Sequence, residues 1–184
     1  MGHTEVWIFG YGSLIWGRSN IKPIEERIGE LQGWHRDWTW ISTRRCGAPT
    51  CSLQLGGKVK GIFLKLDPRT QESDLETLRK REVPSSEKVA ENESGINGKI
   101  HFWTMGNNPD KYNDTRGLTG IELYKKLAKR AKKISSRGPD GKTAEEYALT
   151  VQEFDPHDEI TKTHVNELRK LSGDDTKQNP TEVV

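Results

Sequence analysis

The segment VWIFGYGSLIW, residues 6–16, joins a short apolar run to a glycine-rich turn. The run at residues 6–9 is β-branched and aromatic, which is typical of a buried strand. Gly10 and Gly12 follow, and glycine both tolerates positive φ and lets another molecule approach the main chain. We predict that the N–H groups of residues 11–14 point toward one place, where they would bind a carboxylate or an oxyanion.

Two better-known glycine motifs do not fit this segment. A dinucleotide-binding loop would need a third glycine where the chain has Ile15. A nucleophile elbow would need glycines two residues before and after Ser13, at the positions of Tyr11 and Ile15. Ser13 is therefore not expected to be a nucleophile. From this segment alone, a turn that only connects a strand to a loop stays an open alternative.

The size and charge of the chain restrict its class. Its 184 residues predict a single domain over residues 1–171 and a polar, flexible tail over residues 172–184. No apolar run is long enough to span a membrane or form a signal peptide, so we expect a cytoplasmic protein with no membrane partner. The 29 basic and 27 acidic residues nearly balance, which gives no reason to expect nucleic acid as a partner.

No cysteine or histidine pattern indicates a metal site. Cys46 and Cys51 lack C-x-x-C spacing, and none of the five histidines falls in a pair such as H-E-x-x-H. We expect two free thiols and no metal.

Aromatic and lysine-rich segments lie in different halves of the chain. All six tryptophans occur at or before Trp103, whereas the lysine-rich helical patterns follow Gly120. This predicts an α+β fold, in which the strands form a small mixed barrel or a strongly twisted sheet. The predicted strands beyond the first occupy residues 24–31, 34–41 and 58–66, with Gly33 as a turn, a loop and hairpin over residues 46–57, and a hairpin over residues 88–105 turning at Asn97–Gly98.

The first predicted helix ends at a glutamate. Ser73 and Glu76 have capping-box spacing near its start, and Val83–Pro84 ends it, because proline cannot donate the next hydrogen bond. Glu82 therefore lies at a helix C-terminus, where the macrodipole disfavours negative charge. Such a carboxylate is either a general base with a raised pKa or an exposed glutamate paired with Arg79 or Lys80.

Three later segments have the spacing of amphipathic helices. They cover residues 121–137, residues 143–154 with a capping box at Thr143 and Glu146, and residues 158–171. The seven Lys and Arg residues between Lys125 and Arg137 indicate a solvated face rather than a nucleic-acid surface.

Five motifs in this order resemble the ChaC-like branch of the γ-glutamylcyclotransferase family. They are FGYGSLIW at residues 9–16, RCGAP at 45–49, VKGI at 59–62, LRKRE at 78–82 and AEEY at 144–147. The resemblance implies a compact β-barrel with flanking helices. It also implies a reaction without metal or organic cofactor, in which a γ-glutamyl amide, glutathione in this branch, is cleaved to 5-oxoproline and an amine.

The resemblance also implies roles for particular residues. The YGSL turn, composed of Tyr11, Gly12, Ser13 and Leu14, would bind the γ-glutamyl group through main-chain N–H groups. Glu82 would act as general base and acid, and Tyr147 would contact the substrate. We further hypothesise that Arg44 or Arg45 holds a substrate carboxylate, and full activity after removal of both would contradict this. A small γ-glutamyl molecule is the expected partner.

One segment departs from the family pattern. Residues 83–88 read VPSSEK, where ChaC-like enzymes tend to carry a glycine-rich segment ending in tyrosine. The leaving amine is therefore open. A non-catalytic γ-glutamyl-binding module is one alternative, since fold does not guarantee activity. A nucleic-acid-binding protein using the basic helix is another, and it would show strongly salt-dependent binding.

Overall fold

The computed structural model describes residues 4–83, 85–105 and 114–173. The described residues form five strands and four α-helices, in agreement with the predicted α+β class. The elements are β1 (Glu5–Gly10), β2 (Glu25–Ser42), β3 (Ala48–Lys65), α1 (Gln71–Arg81), β4 (Ser86–Glu91), β5 (Gly98–Thr104), α2 (Gly120–Lys133), α3 (Ala144–Phe154) and α4 (Glu159–Leu171). None of these helices is both long and apolar enough to cross a membrane.

The chain divides into two compact units. The sheet unit comprises Met1–Trp40 and Cys51–Asn107, and the helical unit comprises Ile41–Thr50 and Asn108–Val184. The predicted single domain over residues 1–171 stays a prediction, and most of the predicted tail lies outside the described residues.

The five strands form one mixed sheet in the order β2-β3-β1-β5-β4. The central β1 pairs antiparallel with β3 and parallel with β5, and β5 pairs antiparallel with β4. Two hydrogen bonds connect the edge strand β2 with the opposite edge of the sheet. Gln32 N–H donates to the Glu93 carboxylate at 2.7 Å, and Arg27 donates to the Gly95 carbonyl at 3.3 Å. These bonds join β2 to the β4–β5 connection, so the predicted small barrel is observed as a curled half-barrel.

The first strand is buried on both faces, as its apolar run predicts. Trp7 and Phe9 belong to one core cluster and Ile8 to another, and all three are fully buried. Alternate side chains of a strand face opposite sides of a sheet. Leu75 and Leu78 of α1 join the Ile8 cluster, so α1 covers that face of the sheet.

Two predicted strand boundaries are wrong. Gly33 does not separate two strands, because β2 continues through it with Gly33 at φ +86°. Of the loop and hairpin predicted over residues 46–57, only Cys46 and Gly47 lie in a turn. Instead β3 begins at Ala48 and passes through Gly56 and Gly57, which both have positive φ. Glycine here allows a bend in a long strand without ending it.

The hairpin of β4 and β5 is confirmed, but its predicted two-residue turn is wrong. Residues 92–97 connect the strands, and Gly98 is already the first residue of β5. A Cβ on Gly98 would lie 2.3 Å from the Glu5 carbonyl oxygen. Glycine is required here for close packing on β1 rather than for a tight turn.

The start of α1 differs from the prediction, and its end agrees with it. The N-cap is Thr70, and the Ser73 hydroxyl donates to the Thr70 carbonyl at 2.9 Å from within the helix. Ser73 is therefore not the capping residue. The helix ends at Arg81 with Glu82 as its C-cap, whereas Pro84 lies outside the described residues.

In the helical unit, α2 and α3 both pack against α4. The predicted cap of α3 is confirmed, because the Thr143 hydroxyl accepts the Glu146 N–H at 3.2 Å. The third helix of this unit begins after its N-cap Asp158. The α2 helix ends at Lys133, four residues before the predicted end at Arg137. Ile121 and Leu171, the first and last apolar residues of the helical unit's predicted helices, are 47% and 46% exposed.

His164 on α4 makes the stability of the protein depend on pH. Burial lowers the pKa of His164 to about 3, whereas an unfolded chain keeps it near 6.5. The stability that comes from neutral His164 is therefore present above about pH 6.5 and is lost as the pH falls toward 3. We expect the free energy of unfolding to fall by about 2 kcal/mol from this residue between pH 6.5 and 4.5.

Urea unfolding of the wild type and His164→Gln at these pH values measures this effect. The variant should be less stable at pH 6.5 but lose less stability on acidification. His157→Gln, at an exposed histidine, should keep the wild-type pH dependence. An equal pH dependence in His164→Gln and the wild type would contradict the prediction.

Candidate functional site

The YGSL turn follows β1 directly. Ser13–Ile15 forms a single 3₁₀ turn, and the Ile15 N–H donates to the Gly12 carbonyl at 3.0 Å. This is the first hydrogen bond of the turn, so the N–H groups of Ser13 and Leu14 have no acceptor within the turn itself. The local geometry is therefore compatible with the predicted binding of a carboxylate or oxyanion.

Neither Gly10, at the end of β1, nor Gly12, in the YGSL turn, has a positive φ. Gly12 has φ −134°, outside the left-handed region. Gly10 lies in β1 opposite Ile62, and a Cβ on it would lie 2.8 Å from the Leu14 Cβ. Of the two properties of glycine considered for this segment, close approach rather than positive φ therefore applies at Gly10. Gly10 is needed because the turn folds back over it.

Tyr11 is held at both ends by the sheet. Its hydroxyl donates to the Trp103 carbonyl on β5, and its own carbonyl accepts from Arg36 Nε at 2.9 Å. Arg36 is only 2% exposed and also donates to the Lys60 carbonyl on β3. Sequence reasoning missed Arg36, although it has the same strand parity as the buried Trp38. These hydrogen bonds thus fix the turn to β3 and β5 of the sheet.

Glu82 is partly buried at the end of α1. Its N–H closes the helix by donating to the Leu78 carbonyl at 2.9 Å, and its side chain is 19% exposed. Arg79 and Lys80, the alternative partners of an exposed Glu82, also form ion pairs with other carboxylates. Arg79 binds Glu87 at 2.9 Å, and Lys80 lies 3.7 Å from Glu76.

Arg81 connects Glu82 to the YGSL turn. Its Nη2 donates to Ser13 Oγ at 2.9 Å, and its Nε lies 3.7 Å from Glu82 Oε1. The predicted base and the predicted substrate-binding turn are therefore neighbours of one arginine. Sequence reasoning did not single out Arg81, because only the fold brings residues 13 and 81 together.

Arg45 and Tyr147 meet within the helical unit. The Arg45 guanidinium lies 4.3 Å from the centre of the Tyr147 ring, and its Nη2 lies 2.9 Å from Asp140 Oδ2. Within the described part of the chain, Arg45 Nη1 is buried without a hydrogen-bond acceptor. A Cβ on Gly138 would lie 2.5 Å from this nitrogen. Their contact with substrate stays a prediction, and Asp140 was not foreseen.

The described ranges contain no group of three or more His, Cys, Asp or Glu side chains arranged to hold a metal ion. Cys46 is exposed and Cys51 is buried, and neither forms a disulfide within the described residues.

Comparison with known proteins places the chain in a family. A family model described as ChaC-like protein matches residues 6–173. The glutathione-specific γ-glutamylcyclotransferase of Escherichia coli strain K12 is 37% identical over 83 residues, which cover 42% of this chain and 36% of that protein. The aligned part of this chain thus spans little more than a third of the curated relative.

Two solved structures of a yeast γ-glutamyl cyclotransferase specific to glutathione share the fold. They have TM-scores of 0.66 and 0.65, with 15% and 14% sequence identity. Both cover 91% of this chain, and they are themselves covered to 97% and 99%. At this identity they bear on the fold alone. Because the family model covers nearly all of the described residues, the chain belongs to the ChaC-like protein family.

Proposed function

We propose that this protein is a γ-glutamylcyclotransferase that converts glutathione to 5-oxoproline and Cys-Gly. Family membership over residues 6–173 is the observation that carries the proposal. The specificity named for the Escherichia coli relative supports glutathione as the substrate. The proposal includes a cytoplasmic location, the compartment in which glutathione keeps thiols reduced.

The reaction is an intramolecular aminolysis. The α-amine of the γ-glutamyl group attacks its own γ-carbonyl carbon, which forms the ring C–N bond, and the amide C–N bond to the leaving amine then breaks. The α-ammonium loses two protons overall and the leaving amine gains two, so no water or oxidant is consumed. The two reacting groups belong to one molecule, so holding it folded supplies a large part of the rate enhancement through orientation.

In this proposal Glu82 moves the protons, and the YGSL turn binds the γ-glutamyl group. A carboxylate can take a proton from the ammonium and return it to the leaving amine. Main-chain N–H groups of the turn would stabilise the negative charge of a substrate carboxylate or of the developing oxyanion. The link between Glu82 and Ser13 through Arg81 supports this division of roles. The proposal also includes substrate contacts from Arg45 and Tyr147.

Incubation of the purified protein with glutathione and other γ-glutamyl amides tests the activity. 5-Oxoproline is followed by mass spectrometry, with Glu82→Gln as a parallel sample. We expect product from glutathione in the wild type. Product from another amide only would keep the chemistry and change the leaving amine. No product from any amide, from a protein that is folded by circular dichroism, would favour the non-catalytic binding module.

A further inference from the structure

Arg81 occupies the last position of α1, between the helix and the YGSL turn. We propose that Arg81 is a positioning residue, which fixes the turn relative to Glu82 and keeps the Glu82 carboxylate ionised. This inference rests on the proposed function, because it gives Arg81 a part in that reaction.

The first support is the set of acceptors around the guanidinium. Arg81 donates to Ser13 Oγ at 2.9 Å, to Ser19 Oγ at 3.2 Å and to the Gly17 carbonyl. All three acceptors lie within seven consecutive residues that begin inside the YGSL turn. The planar guanidinium presents several donors in a fixed geometry, so it can hold these groups together at once.

The segment that Arg81 binds is already folded by its own main chain. The Gly17 N–H donates to the Ser13 carbonyl at 2.6 Å. Leu14 is 8% exposed and joins the core cluster that contains Leu78 of α1. The turn and the helix therefore contribute to one apolar cluster and are also joined by a polar contact. Arg81 supplies the polar contact at the end nearest Glu82.

The second support is the charge next to the proposed base. The side chains of Arg81 and Glu82 are 20% and 19% exposed, and Arg81 Nε lies 3.7 Å from Glu82 Oε1. An opposite charge at this distance favours the ionised carboxylate. Because both side chains are partly buried, solvent screens this attraction less than it would at the surface. It also offsets the unfavourable position of a carboxylate at a helix C-terminus. An ionised Glu82 is the form that can accept a proton from the substrate.

A neighbouring arginine provides a matched control. Arg79 lies on the same helical turn, but it forms a two-bond ion pair with Glu87, at 2.9 and 3.3 Å. The carboxylate of Glu87 is also the main cause of the raised pKa of Arg79. Arg79→Gln therefore removes one charge from the same helix end without touching the residues that Arg81 binds.

The test compares Arg81→Gln, Arg81→Lys and Arg79→Gln in the 5-oxoproline assay across pH. In Arg81→Gln we expect kcat/KM for glutathione to fall by about 10²-fold, as for a small displacement of reacting groups. The acidic limb of its pH–rate profile, where kcat/KM falls as the pH is lowered, should also move to higher pH by about 1 unit. The reason is that the ionised Glu82 carboxylate loses the positive charge of Arg81 beside it. Arg81→Lys keeps the positive charge, so the acidic limb should stay near the wild-type position. Its kcat/KM should nevertheless fall, since an ammonium group cannot reproduce the several donors that the planar guanidinium holds in a fixed geometry.

A double-mutant cycle makes the test more specific. Ser13→Ala should lower kcat/KM in the wild-type background and have little further effect in Arg81→Gln, because the two residues act through one contact. Arg79→Gln should keep both the wild-type kcat/KM and the wild-type acidic limb.

Several results would overturn the inference. A folded Arg81→Gln variant with the wild-type kcat/KM and the wild-type acidic limb would do so. The proposed function would survive that result if Glu82→Gln had lost its activity. If thermal unfolding shows that Arg81→Gln does not fold, the decision rests on Arg81→Lys, and wild-type kcat/KM in that variant would refute the positioning role. A wild-type protein that forms no 5-oxoproline would refute the proposed function itself, and this inference with it.

Discussion

Glu82→Gln is expected to lower 5-oxoproline formation from glutathione by about 10²- to 10⁴-fold, the usual contribution of a general acid–base group. Glutamine has nearly the same size as glutamate, but its amide cannot accept a proton from the substrate ammonium at neutral pH. The bond that ends α1 comes from the Glu82 main chain, whose N–H donates to Leu78. The variant should therefore keep its fold and bind glutathione with an affinity near that of the wild type.

Steady-state rates and isothermal titration calorimetry separate these two effects. Glu76→Gln is a suitable control, because Glu76 lies on the same helix with its side chain 58% exposed. We expect it to turn over glutathione at the wild-type rate. Turnover by Glu82→Gln within a few-fold of the wild type would exclude Glu82 as the base, and loss of binding together with turnover would indicate a role in substrate affinity instead.

Local sequence rules correctly predicted those parts of the fold whose conformation is determined by interactions between residues close together in the sequence. The buried strand at residues 6–9, the helix end at Glu82 and the cap at Thr143 each depend on residues a few positions apart, and all three are observed. The errors concern strand boundaries, which are determined by pairing with segments that are distant in the sequence. Gly33 and Gly56 have the character of turn residues, yet the neighbouring strands of the sheet extend β2 and β3 through them.

The candidate site shows the same division. The family resemblance identified Glu82 and the YGSL turn from their motifs, but the contacts that support the turn depend on the fold. Arg36 was missed because arginine is rarely buried, and the carbonyl groups that it binds, Tyr11 and Lys60, are 25 and 24 residues away in sequence. Arg81 and Ser13 are 68 residues apart. No local pattern indicates such pairs.

Gly10→Ala is expected to lower kcat/KM for glutathione by about 10²-fold, because the turn must move to accommodate one methyl group. The added Cβ would lie 2.8 Å from the Leu14 Cβ and 3.3 Å from Ile62 Cγ2. Neither neighbour can swing away easily, because both belong to the same buried cluster. Displacement of Leu14 carries the N–H groups of the YGSL turn with it. Overpacking of this kind also costs about 1–3 kcal/mol of stability.

Gly29→Ala separates the local effect on the turn from a general loss of stability. Its Cβ would lie 3.2 Å from the Phe63 ring, which belongs to the other core cluster of the sheet unit. This variant should lose stability in urea unfolding but keep the wild-type kcat/KM, whereas Gly10→Ala should lose both. If Gly10→Ala is destabilised yet turns over glutathione like the wild type, the main chain of the YGSL turn does not bind the γ-glutamyl group. Gly10 lies in β1 and not in the turn, and Gly10→Ala removes no side chain that could contact the substrate. The expected loss of kcat/KM would therefore come from the displaced main chain of the turn.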